Sequence, residues 1–472
     1  MARDAGALLP EILVFVGGLL VLISGSFLPR ERQWVTRVAT LAVLLTAVAA
    51  STWGLAHEAR TVFSSSFAVD TPTGAARLIA LLATLLVVLM APDEVSGHPR
   101  ESETYALLLF ATTGVLILAG ASDLMLLAVG FLLASIPLYG LIGLLRLPGS
   151  AEAALKTYLM GALFGIVLLL GVTILYGLAG QTTYGELRTS LSEAPPVAVA
   201  VGVVGVLGGL MFKAGGVPAH FWVPDAAQGT SGTAAAFLTT VPKVGALVAA
   251  YRLVVALPET IAWPALVAIL AVASMTLGNL AAYGQSDPRR LLGWSTVSQV
   301  GYVLVPVAVA GRSEVALPSM LLYLAGYAVT NIGAFAVTAA FPQWRDLASY
   351  RGLSRSSPWL AAALLVVLLG LVGTPPTAVF VGKLTTTTAA WDGGQQWLAA
   401  VVLLNTLISL FYYLRWIVAV YRPGEDTERT LAGRFAPRPW SSTVALGTAV
   451  VSVVLGLSAG LLWPLFDGTL VR

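Results

Sequence analysis

Residues 209–218 read Gly-Leu-Met-Phe-Lys-Ala-Gly-Gly-Val-Pro, the close of an apolar run that begins near residue 196. A run of that length suits a helix crossing a hydrocarbon core roughly 30 Å thick. Yet Lys213 sits inside it, and two glycines and a proline follow within five residues. A basic side chain at such depth costs ~3 kcal/mol even on the lenient insertion scale, so it is normally kept for a pathway or a partner. Unwound backbone is tolerated there only where protein buries it or a wet cavity adjoins it. The stretch predicts a broken membrane helix beside an ion route.

The flanking sequence is of the same kind. Of 472 residues, 57% are hydrophobic and only 10% charged, against roughly 25% charged in a soluble domain. Splitting the apolar runs at charged or Pro/Gly-rich gaps predicts fourteen spans, near 8–28, 35–55, 72–91, 104–120, 123–145, 153–179, 196–217, 231–256, 261–283, 291–311, 315–340, 358–391, 396–421 and 441–465. The fold class is therefore an all-α polytopic membrane protein. The run at 358–391 carries Pro375 and Pro376 in its middle and is read as an interrupted span. The first run is longer than a signal-peptide core and lacks a clear cleavage site, so it is kept as a helix.

With fourteen spans both ends lie on one side, and alternate loops can be compared. One set holds Arg30, Arg32, Arg100, Arg146, Arg289, Arg290, Arg345, Arg351, Arg355, Arg422, Arg429, Arg434 and Arg438; the other holds Arg3, Arg60, Arg188, Arg312 and Arg472. The positive-inside rule puts the richer set in the cytoplasm and both termini outside. The net charge of +3 is thus a topology signal and does not point to nucleic acid. There is no cysteine and there are three histidines, which excludes disulfides, iron–sulfur ligation and thiol catalysis and leaves little for a metal centre.

Only four of the 26 basic residues are lysine, and all fall in or at the edge of apolar spans: Lys156, Lys213, Lys243 and Lys383. Arginine keeps its proton essentially always, whereas a desolvated lysine exchanges one far more readily. Lys156 follows Glu152 by four residues, the spacing of a helical ion pair, and serves either that structural purpose or the route itself. Helix breaks accompany the other three. Pro218 follows Lys213, Pro242 precedes Lys243, and Gly373-Thr-Pro-Pro-Thr377 precedes Lys383. Interrupted segments in corresponding places of two halves are a usual mark of an internal repeat in transporters. His220, in Pro-Ala-His-Phe-Trp-Val-Pro-Asp at 218–225, is either a proton relay or a helix cap. Asn279, Asn331 and Asn405 are read as interhelical hydrogen-bonding groups.

These motifs together resemble the antiporter-like membrane subunits of the proton-pumping NADH:quinone oxidoreductase, respiratory complex I, over nearly the whole length. The most specific stretches are Phe212-Lys-Ala-Gly-Gly-Val-Pro-Ala-His-Phe-Trp-Val-Pro-Asp225 and Phe237-Leu-Thr-Thr-Val-Pro-Lys243. Gly278-Asn-Leu280, the run from Arg289 to Tyr302, Tyr327-Ala-Val-Thr-Asn-Ile-Gly-Ala-Phe335, Phe380-Val-Gly-Lys383 and Leu9-Pro-Glu-Ile12 also match. A lysine in helix 8, where related sodium–proton antiporters usually have histidine, favours the subunit N branch. The resemblance implies N-terminal helices 1–3 in residues 1–103, a first repeat of helices 4–8 in 104–256, an inverted second repeat of helices 9–13 in 257–421, and a cytoplasmic loop with helix 14 in 422–472. It implies that Lys213, Lys243 and Lys383 form a mid-membrane row for proton transfer, and the bias toward arginine over lysine with the compact chain points to a bacterial inner membrane. NADH, flavin, iron–sulfur clusters and quinone are then expected in partner subunits, with no cofactor here. The expected partners are other antiporter-like and small membrane subunits and the bilayer.

One departure stands out. The family's helix 5 carries a glutamate paired with the helix 7 lysine, and the matching stretch here is Gly130-Phe-Leu-Leu-Ala-Ser-Ile-Pro-Leu-Tyr139, with Leu132 at the carboxylate position. Asp123 is nine residues away, roughly 13 Å along the helix, and cannot substitute. Two other readings therefore stay open: a cation–proton antiporter component, and a structural membrane subunit whose channel has decayed.

Overall fold

The computed structural model describes residues 2–423 and 436–471. Among the described residues thirteen helices are long and apolar enough to cross a membrane. The remaining predicted crossing, 358–391, is present as two shorter helices. Numbered by crossing, the helices are α1 (Leu9–Phe27), α2 (Trp34–Leu55), α3 (Thr71–Met90), α4 (Glu101–Gly120), α5 (Leu124–Gly143), α6 (Ser150–Ala179) and α7 (Pro196–Ala214, resuming as Trp222–Gly229). Then follow α8 (Gly232–Val255), α9 (Trp263–Tyr283), α10 (Pro288–Ala308), α11 (Ala316–Ala340), α12 (Pro358–Val372, resuming as Ala378–Asp392), α13 (Gln396–Tyr421) and α14 (Pro439–Leu457). The sequence boundaries differ from these by a few residues, as helix ends do.

Local chemistry accounts for the ends. Proline at the first turn opens α3, α7, α9, α10 and α14, where its missing N–H costs nothing. Asp70, Asp123, Ser231 and Asp287 cap α3, α5, α8 and α10 through their side-chain oxygens, satisfying N–H groups that have no partner inside the helix. The proline at 218 was expected to end α7, but the helix stops earlier, at Ala214. Gly215 adopts the left-handed conformation at φ +81°, and its N–H and that of Gly216 both close on Met211 O. Glycine, free of the Cβ clash, makes the stop, and the proline only prevents resumption. The first half of α12 ends the same way, at Gly373 with φ +88°.

Several small elements lie outside the predicted spans. A hairpin pairs β1 (Arg60–Val62) with β2 (Phe67–Val69) between α2 and α3, and a short helix, Tyr184–Ser192, joins α6 to α7. The segment expected at 441–465 divides into α14 and a short helix, Ala459–Phe466.

The centre of the molecule is α8, buried along its whole apolar window, flanked by the nearly buried α10 and α11. By contrast α1, α2, α6, α13 and α14 bury less than half of theirs and present leucine, isoleucine and valine outward, as a lipid-facing or subunit-facing ring must. Close backbone approach needs small residues at the crossings. A Cβ on Gly301 of α10 would come 2.5 Å from Met275 N of α9. Two buried ion pairs tie the N-terminal helices in. Arg77 of α3 holds both oxygens of Glu11 of α1, at 2.7 and 2.8 Å, and Arg252 of α8 holds Asp70 at the start of α3.

Candidate functional site

The three interior lysines are all buried, and Lys243 and Lys383 have their side chains set against helix breaks. Pro242 has no N–H to give the carbonyl four residues back, so Leu238 O is left without its helical partner. Lys243 takes it, Nζ donating at 2.8 Å. The ammonium lies 5.1 Å from the centroid of the Trp222 ring, and a Cβ on Gly215 would sit 3.5 Å from it. Lys243 thus packs against the break in α7, two residues beyond Lys213.

Lys383 repeats the arrangement across the break in α12. It stands on the second half and reaches back to the last carbonyls of the first, donating to Val372 O at 2.8 Å and approaching Leu371 O at 3.4 Å. These are C-terminal carbonyls that the helix cannot pair, at the negative end of its dipole, so a cation is well placed. The Tyr302 ring lies 4.0 Å from the ammonium, within cation–π range.

Lys213 differs from both. Its Nζ is buried with no hydrogen-bond partner among the described residues, and its near neighbours are the rings of Phe131, at 5.3 Å, and Phe212, at 6.0 Å. The carbonyl of Phe212 is occupied by Trp222 Nε1 at 3.1 Å. Leu132, expected in the place of the family's glutamate partner, is 41% exposed on the outer flank of α5. Successive helical residues point about 100° apart, so Phe131 faces Lys213 and Leu132 faces outward. Asp123 is committed to the α5 cap, accepting from Met125 N at 2.7 Å and Leu126 N at 3.0 Å.

Between Lys243 and Lys383 runs a ribbon of polar groups that the sequence reading did not single out. Tyr327 OH donates to Thr239 O, the carbonyl next to Leu238, at 2.8 Å and reaches Thr296 Oγ1 at 3.1 Å. Asn331 Nδ2 bonds the hydroxyls of Thr239 and Thr240. One turn along α10 from Thr296, Gln299 accepts from Tyr323 OH at 2.6 Å and donates from Nε2 to Leu371 O at 2.9 Å. Leu371 O is the carbonyl that Lys383 also approaches. The ribbon consists of two hydrogen-bonded groups, since Thr296 Oγ1 donates to Leu292 O at 2.9 Å and not toward Gln299; water between Thr296 and Gln299 would join them into a path for protons. The spacings that could have revealed it are Thr296 with Gln299 and Tyr323 with Tyr327, each pair one helical turn apart.

Lys156 forms ion pairs with Glu152 at 2.7 Å and Asp225 at 2.9 Å on a half-exposed surface. Asp225 also pairs with Arg290, and the group lines a cleft of about 440 Å³ at the ends of α6, α7 and α10. His220 is buried between Phe221 and Trp294, ring centroids 4.3 and 5.5 Å away, with neither ring nitrogen in a well-formed hydrogen bond. No contact joins it to a lysine among the described residues. Asn279 bonds Asn405, Ser298 and Tyr412, tying α9, α10 and α13 together. No cluster of three or more His, Asp or Glu suited to a metal ion occurs among the described residues.

A polytopic helical protein with two interrupted crossings, each bringing a buried lysine to its break, is a membrane protein of the transporter type. More narrowly, the chain belongs to the family described as NADH:quinone oxidoreductase/Mrp antiporter, transmembrane, which matches residues 121–409. It is 62% identical over 456 residues to NADH-quinone oxidoreductase subunit N of Mycobacterium sp. strain JLS, covering 96% of this chain and 97% of that one. It is 50% identical to NADH-quinone oxidoreductase subunit N 1 of Streptomyces griseus, covering 97% of each. A chain of respiratory complex I from Thermus thermophilus superposes with a TM-score of 0.83 at 31% identity, over 98% of this chain and 100% of that one. A chain of the Mrp complex from Dietzia sp. shares the fold, with a TM-score of 0.84 at 24% identity over 99% and 96% of the two chains.

Proposed function

We propose that this chain is subunit N of an NADH:quinone oxidoreductase and that it translocates protons along the row Lys213, Lys243 and Lys383. The observation that carries this reading is the polar ribbon from Leu238–Thr239 through Thr296, Tyr327, Gln299 and Tyr323 to Leu371, with a lysine at each end. Backbone carbonyls hold the ammonium groups but do not take up their protons, so on this reading each lysine releases its proton to water that the hydroxyl and amide groups of the ribbon hold in place, and retakes one from it. On this reading electron transfer from NADH to quinone takes place in partner subunits, which hold the flavin and iron–sulfur clusters. The arginine-rich loops face the cytoplasm of a bacterium, helices 4–8 and 9–13 are the two inverted repeats, and the Glu152–Lys156–Asp225 cluster lies at the cytoplasmic approach to the row.

One observation favours a second reading, a structural subunit with a degenerate channel: Lys213 has aromatic rings around it where the family pairs it with a carboxylate. Tagging the chain, extracting it in mild detergent and identifying its companions by mass spectrometry tests the assignment to the complex. Redox subunits with flavin and iron–sulfur absorbance are expected. A small set of hydrophobic companions without redox centres would move the assignment to a cation–proton antiporter, to be examined by sodium-dependent transport.

A sharper test concerns the helix break. Pro242→Ala is expected to supply an N–H to Leu238 O, so that Lys243 must share its acceptor, a charge-assisted bond worth roughly 1.5–3 kcal/mol. Proton uptake per NADH oxidised in inverted vesicles should fall severalfold while the chain's level in the membrane stays unchanged. Unaltered uptake would show that Lys243 does not work through that carbonyl.

A further inference from the structure

At the common end of α9 and α13 lies a cup of about 500 Å³ that plays no part in the lysine row. Three arginines line it, Arg351, Arg415 and Arg422, and its described lining contains no carboxylate. Arg415 is fixed in place by the loop after α9, donating to Tyr283 O at 2.5 Å and to Gln285 O. Between and beside Arg415 and Arg422 the lining is apolar, formed by Leu414, Val418 and Ala419 of α13. That lining continues along the same two helices as an exposed apolar strip that includes Phe411 and Leu407 of α13 and Leu280 of α9.

Since α9 and α13 both cross the membrane, their shared end lies at headgroup level and the strip lies beside the acyl chains. Cationic rim and apolar wall therefore meet at the depth where an anionic phospholipid carries its phosphate above its chains. Basic pockets between membrane helices take such headgroups, and guanidinium groups bind phosphate oxygens in bidentate fashion. We infer that this cup binds an anionic phospholipid, its phosphate among Arg351, Arg415 and Arg422 and an acyl chain along α13. The inference does not depend on the proton-transfer reading.

The test uses the full-length chain in mild detergent, with native mass spectrometry to count retained dioleoyl-phosphatidylglycerol against dioleoyl-phosphatidylcholine. The anionic lipid is expected to bind at least about tenfold more tightly, since each arginine near the surface adds appreciably to the attraction. Arg351→Gln combined with Arg422→Gln should abolish the preference. Val418→Trp, which keeps all three arginines and fills the apolar wall, should weaken retention of the lipid and keeps the test decisive if the double variant fails to fold. Millimolar glycerol 3-phosphate should leave the lipid bound. Equal retention of the two lipids, a preference that survives the double variant, or displacement by glycerol 3-phosphate would overturn the inference, the last by revealing a site for free anions. Crosslinking of residue 422 in the intact complex to a neighbouring subunit, with none to lipid, would overturn it too.

Discussion

Lys383→Arg is expected to lower proton uptake per NADH oxidised at least severalfold while leaving the chain's level in the membrane and NADH oxidation close to the parent's. Lys383 does two things in the structure. Its charge caps the first half of α12 at Val372 O and Leu371 O, and its amine stands at the end of the polar ribbon that reaches Leu371 O through Gln299. Lys383→Ala removes both, so a loss of pumping in that variant alone would not say which one matters. Arginine keeps a permanent cation able to donate to the same carbonyls, but it does not give up its proton in a protein. The pair of variants therefore separates capping from exchange. If the amine relays protons, arginine fails almost as badly as alanine, with assembly better preserved. Should the arginine variant pump at the parental rate, Lys383 would be a cap and the relay would have to be sought elsewhere.

The membrane architecture was largely legible because the bilayer restricts the choices. A segment that spans it must be helical and about 20 apolar residues long, so 35–55 in the sequence corresponds to Trp34–Leu55 and 396–421 to Gln396–Tyr421. The end of α7 was less legible, since a proline is easily taken for the stop when a left-handed glycine stands three residues ahead of it. The hairpin at 60–69 was invisible because three-residue strands carry no periodicity. The lysines stood out because a charge in an apolar run is costly. By contrast Thr296, Gln299, Tyr323 and Tyr327 did not, since hydroxyls and amides in membrane helices are usually read as packing. Only the juxtaposition of α8, α10 and α11 turns them into a ribbon. Leu132 was read as the empty half of a charge pair with Lys213. Its outward direction depends on how α5 is rotated, which this weakly amphipathic helix does not disclose in sequence.

Asp70→Ala should be among the most damaging single changes outside the lysine row, because it strips several partners at once. The Asp70 carboxylate caps α3 through Thr73 N at 3.2 Å, accepts from Val471 N at 3.0 Å, and pairs with Arg252, whose side chain is 3% exposed. Alanine would leave the guanidinium buried with only Thr73 Oγ1 at 2.7 Å and Ala119 O at 2.8 Å. Breaking a buried pair from one side costs about 3–5 kcal/mol, and the lost cap adds ~1 kcal/mol. Since α8 lies at the centre, the damage is not confined to the N-terminal helices, and the chain's steady-state level in the membrane is expected to fall severalfold. Asp70→Asn keeps an oxygen for the cap and for Arg252 and should fall between alanine and the parent. The informative variant is the double one, Asp70→Leu with Arg252→Met. Replacing both members of a buried pair by apolar residues is often close to neutral, so the double variant should accumulate better than Asp70→Ala. Immunoblots of membranes measure this directly. If the double variant accumulated no better than Asp70→Ala, the defect would lie in the lost cap and tail contact, and the stranded charge on Arg252 would not be its cause.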